Sequence, residues 1–453
     1  MEQDMTRGNP LSVIFMFTLP LAIGNIFQQL YNMADTIIVG RFVGADALAA
    51  VGSTGTIMFL LNGFAQGITA GFSVLTAQRF GAGKKDAVKQ SVTNGILLSI
   101  IGAILLTVLG CTIMDPLLHL MNTPDDIFDM AYTYITLISL GMIANVFYNL
   151  FSSYLRAVGN SKAPLFFLVF SACLNVGLDL FFIVVLKMGV AGAAWATNLS
   201  QAISALLCIV YIYYKVPALV PEKKHWRLTA GDTRYQMQMG IPMALQFAIT
   251  SSGTMIMQSA INLFGSEAVA AYTAACKVHS LLTQGMVAMG QTMAVYSGQN
   301  YGKGDYGRIR AGVKAALIIE FIYSVVSAVA VSILLGVTLG LFFSGDVDLT
   351  AMMPWARTYI TICTLFYIPL STIFIFRNTM QGCGYGFLPM MGGVVELVAR
   401  MLVAMIAMRV HSYALSCFCD PAAWISAGLF TGVSYLFVMK KIKATLSPKT
   451  AAV

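Results

Sequence analysis

Long apolar stretches, separated by short polar ones, follow one another along almost the whole of this chain. An apolar run of about 20 residues is long enough to cross a bilayer as an α-helix. A transmembrane β-barrel would instead show weak alternation over segments of about ten residues, and this pattern is not seen. The sequence therefore predicts an all-α membrane protein with twelve transmembrane helices. The predicted spans are 11–40, 47–79, 87–114, 127–155, 163–186, 190–214, 236–264, 268–299, 311–342, 354–380, 387–409 and 422–439.

Basic residues fall in alternate connections between these spans. Connections rich in Lys and Arg remain on the cytoplasmic side of a membrane, so both termini are expected in the cytoplasm. These connections also account for the formal net charge of +8, which therefore calls for no nucleic-acid partner. The basic clusters are Arg79 to Lys89, Arg156 with Lys162, Lys215 to Arg234, Lys303 to Lys314, and Lys440 to Lys449.

The composition agrees with a membrane protein. Hydrophobic residues make up 58% of the chain and charged residues 10%, whereas about a quarter of the residues in ordinary soluble domains are charged. The first span follows Glu2 and Asp4 and is too long for a signal peptide, so it is expected to remain in the protein. Compact loops favour the plasma membrane of a prokaryote. The protein is expected to be monomeric and to be surrounded by membrane lipids.

The second half of the chain repeats motifs of the first half. Phe80–Gly83 returns as Tyr301–Gly304, and Gly44–Ala50 returns at the same offset as Gly265–Ala271. Because six spans begin and end on one side, the two copies are predicted to be related by a pseudo-twofold axis along the membrane normal. The predicted parts are an N-terminal lobe 1–214, a cytoplasmic linker 215–233 and a C-terminal lobe 234–453. A substrate cavity is expected between the lobes.

Several motifs resemble those of the multidrug and toxic compound extrusion (MATE) family. The resemblance covers essentially the whole chain and implies a transporter, not an enzyme, that exports small organic compounds in exchange for H⁺ or Na⁺ and uses no other cofactor. The branch resembles DinF, because the polar residues lie in the N-terminal half and the seventh span has Gln246 and Gln258 but no acid. The motifs are Leu19–Leu21, Gln28–Thr36, Val39–Gly40, Gly44–Gly52, Arg156–Pro164, Leu174–Asp179 and Gly192–Thr197.

Charged side chains inside the spans are the best independent guide to function, because they are costly in a membrane and usually functional. Asp35, Asp179 and Thr197 lie roughly 9–12 Å below the outer surface, at about 1.5 Å per helical residue. Asn175 lies one turn deeper, on the same helix face as Asp179. The four residues predict a cation-coupling site for a proton or Na⁺, and the matching family positions belong to the cation-responsive site. The alternative is that each acid only hydrogen-bonds to neighbouring helices.

The second half lacks these acids, so coupling is expected in the N-terminal half alone. Glu396 and Arg400 have the spacing and order of an intrahelical ion pair, and a structural pair is favoured over a substrate contact. Glu320 lies nearer the cytoplasm and is expected to be hydrated or paired. The candidate residues of a substrate cavity are Gln28, Tyr31, Asn32, Lys277, Gln284, Glu396 and Arg400.

Pro20 lies inside the first span, where a proline removes one hydrogen bond and kinks the helix. One hypothesis is that the first helix bends at Pro20 when Asp35 changes protonation. The alternative is a static kink.

Functions other than antiport of organic, cationic and amphipathic compounds fit the sequence less well. The main alternative is a lipid-linked sugar flippase of the related superfamily, although such proteins often have fourteen spans. An ATP-driven pump is disfavoured, because Gly81–Lys85 lacks the full phosphate-loop pattern. Gly302–Asp305 superficially matches the Gly-x-Gly-Asp motif of an intramembrane aspartyl protease. This alternative is disfavoured because the motif lies in a basic loop. Uphill export would exclude a receptor or channel.

Overall fold

The computed structural model describes residues 4–121, 123–340 and 349–446. Within those ranges the regular secondary structure is helical, without a β-strand. Among the described residues, eight helices are long and apolar enough to cross a membrane, or ten if each of two bent pairs counts as one span. Two further long helices, Ala230–Ile261 with 32 residues and Ser266–Lys303 with 38 residues, are more polar than these. The predicted all-α membrane fold is confirmed, whereas the exact count of twelve stays a prediction.

The helices follow the predicted spans closely. The end of the ninth span, 341–342, lies outside the described residues. The helices are α1 Pro10–Phe42, α2 Ala45–Ser53, α3 Gly55–Gly81, α4 Lys85–Leu120, α5 Asp125–Leu140, α6 Met142–Ala157, α7 Lys162–Asp179, α8 Val190–Lys215, α9 Ala230–Ile261, α10 Ser266–Lys303, α11 Tyr306–Gly340, α12 Leu349–Thr364, α13 Tyr367–Gly382, α14 Phe387–Val410, α15 Tyr413–Cys417 and α16 Cys419–Leu446.

Three predicted spans are interrupted. The second is broken between α2 and α3, whereas the twelfth, 422–439, lies within α16. The fourth bends by 46° between α5 and α6, and the tenth by 48° between α12 and α13. At the bend between α5 and α6, Gly141 leaves room for the Asn198 side chain, whose amide donates to the Leu137 carbonyl oxygen at 2.7 Å. An inserted polar side chain is a recognised cause of a helix bend.

The fifth span changes its helical winding at Asp179. This residue ends α7, and a π-helix follows over Leu180–Val185. The amide of Leu186 donates to the Phe181 carbonyl oxygen at 3.0 Å, which is the wider i to i+5 bond. Because π-helices occur frequently at functional sites, the change of winding draws attention to Asp179.

The chain divides into two compact units. The described residues of Met1–Asp4 and Ile23–Phe247 form the N-terminal unit, and those of Met5–Ala22 and Ala248–Val453 form the C-terminal unit. The predicted lobes 1–214 and 234–453 differ from these units in two places, because α1 and α9 are each divided. The division in α1 follows Pro20 by two residues.

The first half of α9 packs tightly within the N-terminal unit. A Cβ atom at Gly67 on α3 would lie 2.6 Å from the Cα of Ala244, and one at Gly71 would collide with the backbone of Gly240. Small residues let the two helix backbones approach each other closely, as in other membrane helix pairs. This packing explains why residues 234–247 belong to the N-terminal unit although they follow the predicted linker.

The first half of α1 packs within the C-terminal unit. The hydroxyl of Thr18 donates to that of Thr292 on α10 at 2.8 Å. The guanidinium of Arg308 donates to the carbonyl oxygens of Met5 and Gly8, at 3.1 and 2.9 Å. These bonds tie the segment before α1 to the start of α11, so residues 5–22 belong to the C-terminal unit.

Candidate functional site

Two aspartates of the N-terminal unit lie side by side. Asp35 is in the second half of α1, and Asp179 is the last residue of α7. Their carboxyl groups are close enough to interact directly. Asp179 is fully buried and Asp35 is half-buried. The fold therefore brings the acids of the first and fifth spans together.

Asn175 and Thr197 also meet. Asn175 lies one helical turn before Asp179 on α7 and is fully buried. Its amide nitrogen donates to the Thr197 hydroxyl on α8 at 3.5 Å, a long hydrogen bond. Since Asn175 and Asp179 share one face of α7, all four predicted residues belong to one part of the N-terminal unit.

Two tyrosines complete the surroundings of the aspartates. Tyr31 interacts electrostatically with both acids, and its hydroxyl interacts with the Thr197 side chain. Tyr31 was predicted for the substrate cavity, and the structure places it at the acid pair. Tyr134 on α5 is buried and also interacts with both acids. Sequence reasoning missed Tyr134, because a lone tyrosine in an apolar span carries no signal of its position.

Several oxygen atoms of this cluster lack a hydrogen-bond partner. They are Oδ1 of Asp35, both carboxyl oxygens of Asp179 and Oδ1 of Asn175, all of them buried and unpartnered within the described residues. Apolar side chains, including Ile38 and Val190, form the core at this end of the unit. Buried oxygens are normally satisfied, so this set is suited to holding a cation that supplies the missing partner.

The other polar side chains predicted on α1 are more exposed than Asp179. Gln28 is half-buried, and Asn32 is exposed. A polar group that sequence reasoning also missed lies inside the unit, where Asn145 on α6 donates to Asn62 on α3 at 3.1 Å and to Gln201 on α8 at 3.0 Å. These amides link three helices of the N-terminal unit.

Pro20 is buried in the continuous helix α1. The same helix carries Asp35 fifteen positions later, which corresponds to about 22 Å along the axis. The boundary between the two units lies between Ala22 and Ile23. Pro20 therefore lies close to the point where α1 passes from one unit to the other.

The C-terminal unit contains a buried charged triad. The Arg400 guanidinium lies 3.1 Å from Glu396 on α14 and 2.9 Å from Asp420 on α16. The predicted ion pair between Glu396 and Arg400 is confirmed as a contact. Asp420 was missed because the predicted twelfth span began at residue 422, beyond this acid.

A glycine on α9 makes room for the arginine of the triad. A Cβ atom at Gly253 would overlap Nη1 of Arg400. This Nη1 atom is buried and has no hydrogen-bond partner within the described residues. The other guanidinium nitrogens bind the two acids, so the arginine is held between α14 and α16.

The remaining candidates do not join the triad. Lys277 on α10 is exposed, and Gln284 donates to the Ser280 carbonyl oxygen on the same helix at 3.1 Å. Within the described residues, neither forms a hydrogen bond or ion pair with Glu396 or Arg400. Glu320 was expected to be hydrated or paired. It is 2% exposed, and among the described residues it forms no ion pair.

A comparison with known proteins finds the same family in both halves of the chain. The MatE family model matches residues 20–181 and 242–406. The probable multidrug resistance protein YpnP of Bacillus subtilis is 29% identical over 442 residues, which cover 96% of this chain and 94% of that protein. A solved MATE structure in the bent conformation has a TM-score of 0.89 at 22% identity and covers 98% of both chains. A MOP superfamily transporter from Pyrococcus furiosus has a TM-score of 0.90 at 22% identity over 97% of this chain and 98% of that one. These matches do not favour a lipid-linked sugar flippase.

Proposed function

Since this chain belongs to the MATE family of multidrug efflux transporters, we propose that it is a secondary antiporter that exports organic compounds in exchange for H⁺ or Na⁺. Its substrates are cationic and amphipathic. It works as a monomer in the plasma membrane of a prokaryote, with both termini in the cytoplasm.

The contact between the carboxyl groups of Asp35 and Asp179 is the observation that carries this proposal. Two ionised carboxylates repel each other, and the interior of a membrane protein offers little solvation to offset that repulsion. A bound proton or Na⁺ relieves the repulsion, and its release restores it. The pair therefore has two states that differ by one positive charge.

The neighbouring oxygens suit either cation. Asn175 offers an unpartnered amide oxygen, and Thr197 adds a hydroxyl at the end of the long bond from Asn175. Together with the carboxylates they provide the oxygen ligands that hard cations prefer. A proton needs only one carboxyl oxygen, so the same residues serve proton coupling as well.

Antiport requires that the ion and the substrate favour different conformations. Both Asp35 and Pro20 belong to α1, so a change of charge at Asp35 acts on a helix whose hydrogen bonding is already weakened at Pro20. Bending of α1 at Pro20 would then reshape the substrate cavity. Gln28, Tyr31 and Asn32 lie on the same helix and are the candidate substrate contacts in the N-terminal unit.

Efflux of a fluorescent organic cation from vesicles with imposed pH or Na⁺ gradients tests the proposal. Asp35→Asn and Asp179→Asn are each expected to reduce gradient-driven efflux at least tenfold, because the amide cannot exchange the ion. Asp46→Asn is the matched control, since Asp46 is an exposed acid at the start of α2. Efflux at the normal rate in both Asp35→Asn and Asp179→Asn, with the same dependence on the gradient, would exclude the aspartate pair as the coupling site. The gradient that drives the unmodified protein identifies the ion.

A further inference from the structure

One face of α11 in the C-terminal unit carries a buried polar stripe. Glu320, Ser324 and Ser327 follow one another at four and three positions, so they share one side of the helix. Their exposed fractions are 2%, 2% and 4%. Glu320 lies fourteen residues beyond Tyr306, about 21 Å along the axis from the start of α11. The stripe is therefore well inside the span.

Two of these side chains have unused oxygen atoms. Within the described residues, neither Oε2 of Glu320 nor Oγ of Ser324 has a hydrogen-bond partner. Glu320 interacts electrostatically with Tyr323 on the same helix. The Tyr323 hydroxyl already donates to the Leu282 carbonyl oxygen at 2.6 Å. The carboxyl and the hydroxyl lie one helical turn apart, and no other described side chain satisfies these two atoms.

Within the described residues, the ionisable groups on the neighbouring helices form no ion pair with this acid. α11 packs against α10, α12, α13 and α16. His279 on α10 pairs with the Tyr367 hydroxyl on α13 at 3.0 Å, and the Arg377 guanidinium on α13 lies over the Phe374 ring. The part of the chain that the structure describes holds no ion pair to Glu320 from any of these helices. The other charged or titratable groups of these helices are Glu267, Tyr272, Cys276, Lys277, Tyr296, Tyr301 and Lys303 on α10, Arg357, Tyr359 and Cys363 on α12, and Cys419, Asp420, Tyr435, Lys440, Lys441 and Lys443 on α16.

The repeat shows that this acid belongs to one half of the chain alone. At the offset that aligns Gly81 with Gly302, Glu320 aligns with Ser99 and Ser324 aligns with Ala103. Ser99 is also buried, so the two copies share an interior position but only the second has an acid there. The acid is thus separate from Asp35 and Asp179, which lie in the other unit.

We propose that Glu320, together with Ser324, is a proton-binding site of the C-terminal unit that loads and releases one proton during the transport cycle. An ionised carboxylate without a partner is costly in an apolar interior, so binding of a proton to the Glu320 carboxylate gives the neutral acid that this environment favours. The Ser324 hydroxyl can accept a hydrogen bond from the acid and donate one to the carboxylate. The Ser324 hydroxyl, itself without a partner among the described residues and one turn away, is thus available to both protonation states.

A proton fits this site better than a metal ion. Hard metal cations take six or more oxygen ligands, whereas the stripe supplies one carboxyl group and the hydroxyls of two serines. The residues that the structure describes contain no group of three or more His, Cys, Asp or Glu side chains able to hold a metal ion. The release of the proton during transport rests on the proposed antiport, whereas proton binding to Glu320 does not.

Infrared spectroscopy of the purified full-length protein in lipid vesicles tests this inference, because a protonated carboxyl group absorbs apart from a carboxylate. We expect a carboxyl band that is lost in Glu320→Gln and that disappears reversibly as the pH is raised from 5 to 10. Ser324→Ala is expected to move that disappearance to higher pH, by about one pH unit, because the carboxylate loses its hydrogen-bond donor. Ser99→Ala is the matched control and should leave the band unchanged.

Two results would overturn the proposal. One is a spectrum of Glu320→Gln that matches the unmodified protein at every pH, which would show that Glu320 is ionised throughout. The other is a Glu320 band that persists unchanged to pH 10, which would show a fixed structural acid. Asp35→Asn/Asp179→Asn should keep the Glu320 band even though efflux is lost. Failure of the proposed antiport and failure of this site are therefore recorded by different measurements.

Discussion

At the scale of single residues, the two buried acid clusters differ in what satisfies them. Asp35 and Asp179 share a site with four unpartnered oxygen atoms in the described residues, whereas Glu396 and Asp420 both bind Arg400. An acid fixed by an arginine gains little from a further cation, while an acid pair without donors gains much. The first cluster is thus suited to exchanging an ion and the second to holding helices together.

The triad yields a prediction for protein stability. Arg400→Met leaves two buried acids without a partner and is expected to destabilise the C-terminal unit by about 3–5 kcal/mol, the usual effect of breaking a buried ion pair. Asp420→Asn keeps the bond between Glu396 and Arg400, so its effect should be smaller. Thermal unfolding of the purified variants in detergent measures both. Equal melting temperatures for Arg400→Met and the unmodified protein would contradict a structural role of the triad.

Part of the candidate site could be predicted from the sequence. Asp35 and Asp179 could be predicted as site residues because charged residues are rare in spans and their depth follows from counting along a helix. Asp420 could not be predicted in this way, since it lies at the junction of two helices where hydropathy does not show where the span begins. The hydrogen-bonding state of each acid depends on residues distant in the sequence, such as Tyr134, and no local pattern reports it.

At the scale of helices, α1 and α9 offer a matched comparison. Each has an internal proline, Pro20 or Pro242, and each is divided between the two units. α1 carries Asp35, and α9 carries no acid within its apolar part. The two helices are therefore alike in having an internal proline and in being divided between the units, but only α1 carries an acid that could bind an ion.

This difference predicts unequal effects of removing the two prolines. Pro20→Ala restores a helical hydrogen bond in α1 and is expected to slow gradient-driven efflux several-fold, since the straighter helix responds less to Asp35. Pro242→Ala, the control, should change efflux less, because the first half of α9 is fixed against Gly67 and Gly71. Vesicle efflux under one gradient compares them. Normal transport by Pro20→Ala would show that Pro20 only makes a static kink.

The connection between α8 and α9 is held to the start of α4 by ion pairs. Lys89 binds Glu222 at 2.6 Å, and Lys224 binds Asp86 at 3.0 Å and Glu222 at 3.3 Å. The hydrogen bond from Lys224 lowers the pKa of Asp86, and that from Lys89, followed by that from Lys224, lowers the pKa of Glu222. Asp86 in turn raises the pKa of Lys224. The predicted linker is therefore docked on the N-terminal unit.

These shifts define a pH range for the docked linker. The ionised carboxylates of Asp86 and Glu222 stabilise docking above about pH 4, where free carboxyls ionise. This stabilisation is lost as the pH falls through their lowered pKa values. The raised pKa of Lys224 stabilises docking below about pH 10, and this is lost as the pH rises through the raised value. Docking should therefore persist between these limits and weaken in high salt, because the groups are exposed.

Hydrogen exchange of residues 217–229, corrected for the intrinsic rate at each pH, measures this docking. We expect faster exchange below pH 4 and in 1 M salt, and a modest effect in each case because exposed ion pairs are weak. Asp86→Asn/Glu222→Gln should show the faster exchange already at pH 7. Identical exchange at pH 7 in this variant and the unmodified protein would show that the ion pairs do not hold the linker.

Some features of the helices were beyond the reach of sequence patterns. Both parts of α1 belong to one apolar span, so hydropathy does not report that residues 10–22 and residues from Ile23 onward belong to different units. The bend at Gly141 depends on Asn198, which is 57 positions away in the sequence. The π-helix after Asp179 has no composition signal, since Leu180–Val185 is apolar like the rest of the span.

At the scale of the whole molecule, two sequence copies fold into units with unequal chemistry. The MatE model matches both halves, yet the N-terminal unit holds the aspartate pair and the C-terminal unit holds the arginine triad and Glu320. Ion exchange at Asp35 and Asp179 is then the step that drives the proposed antiport.

The most direct test of that step is equilibrium binding of a fluorescent organic cation to the purified protein, measured while the H⁺ or Na⁺ concentration is varied. We expect substrate affinity to fall at least tenfold as the coupling ion saturates the unmodified protein and the Asp46→Asn control. In Asp35→Asn/Asp179→Asn the affinity should no longer depend on the ion. An undiminished ion dependence in this folded double variant would contradict coupling at the aspartate pair.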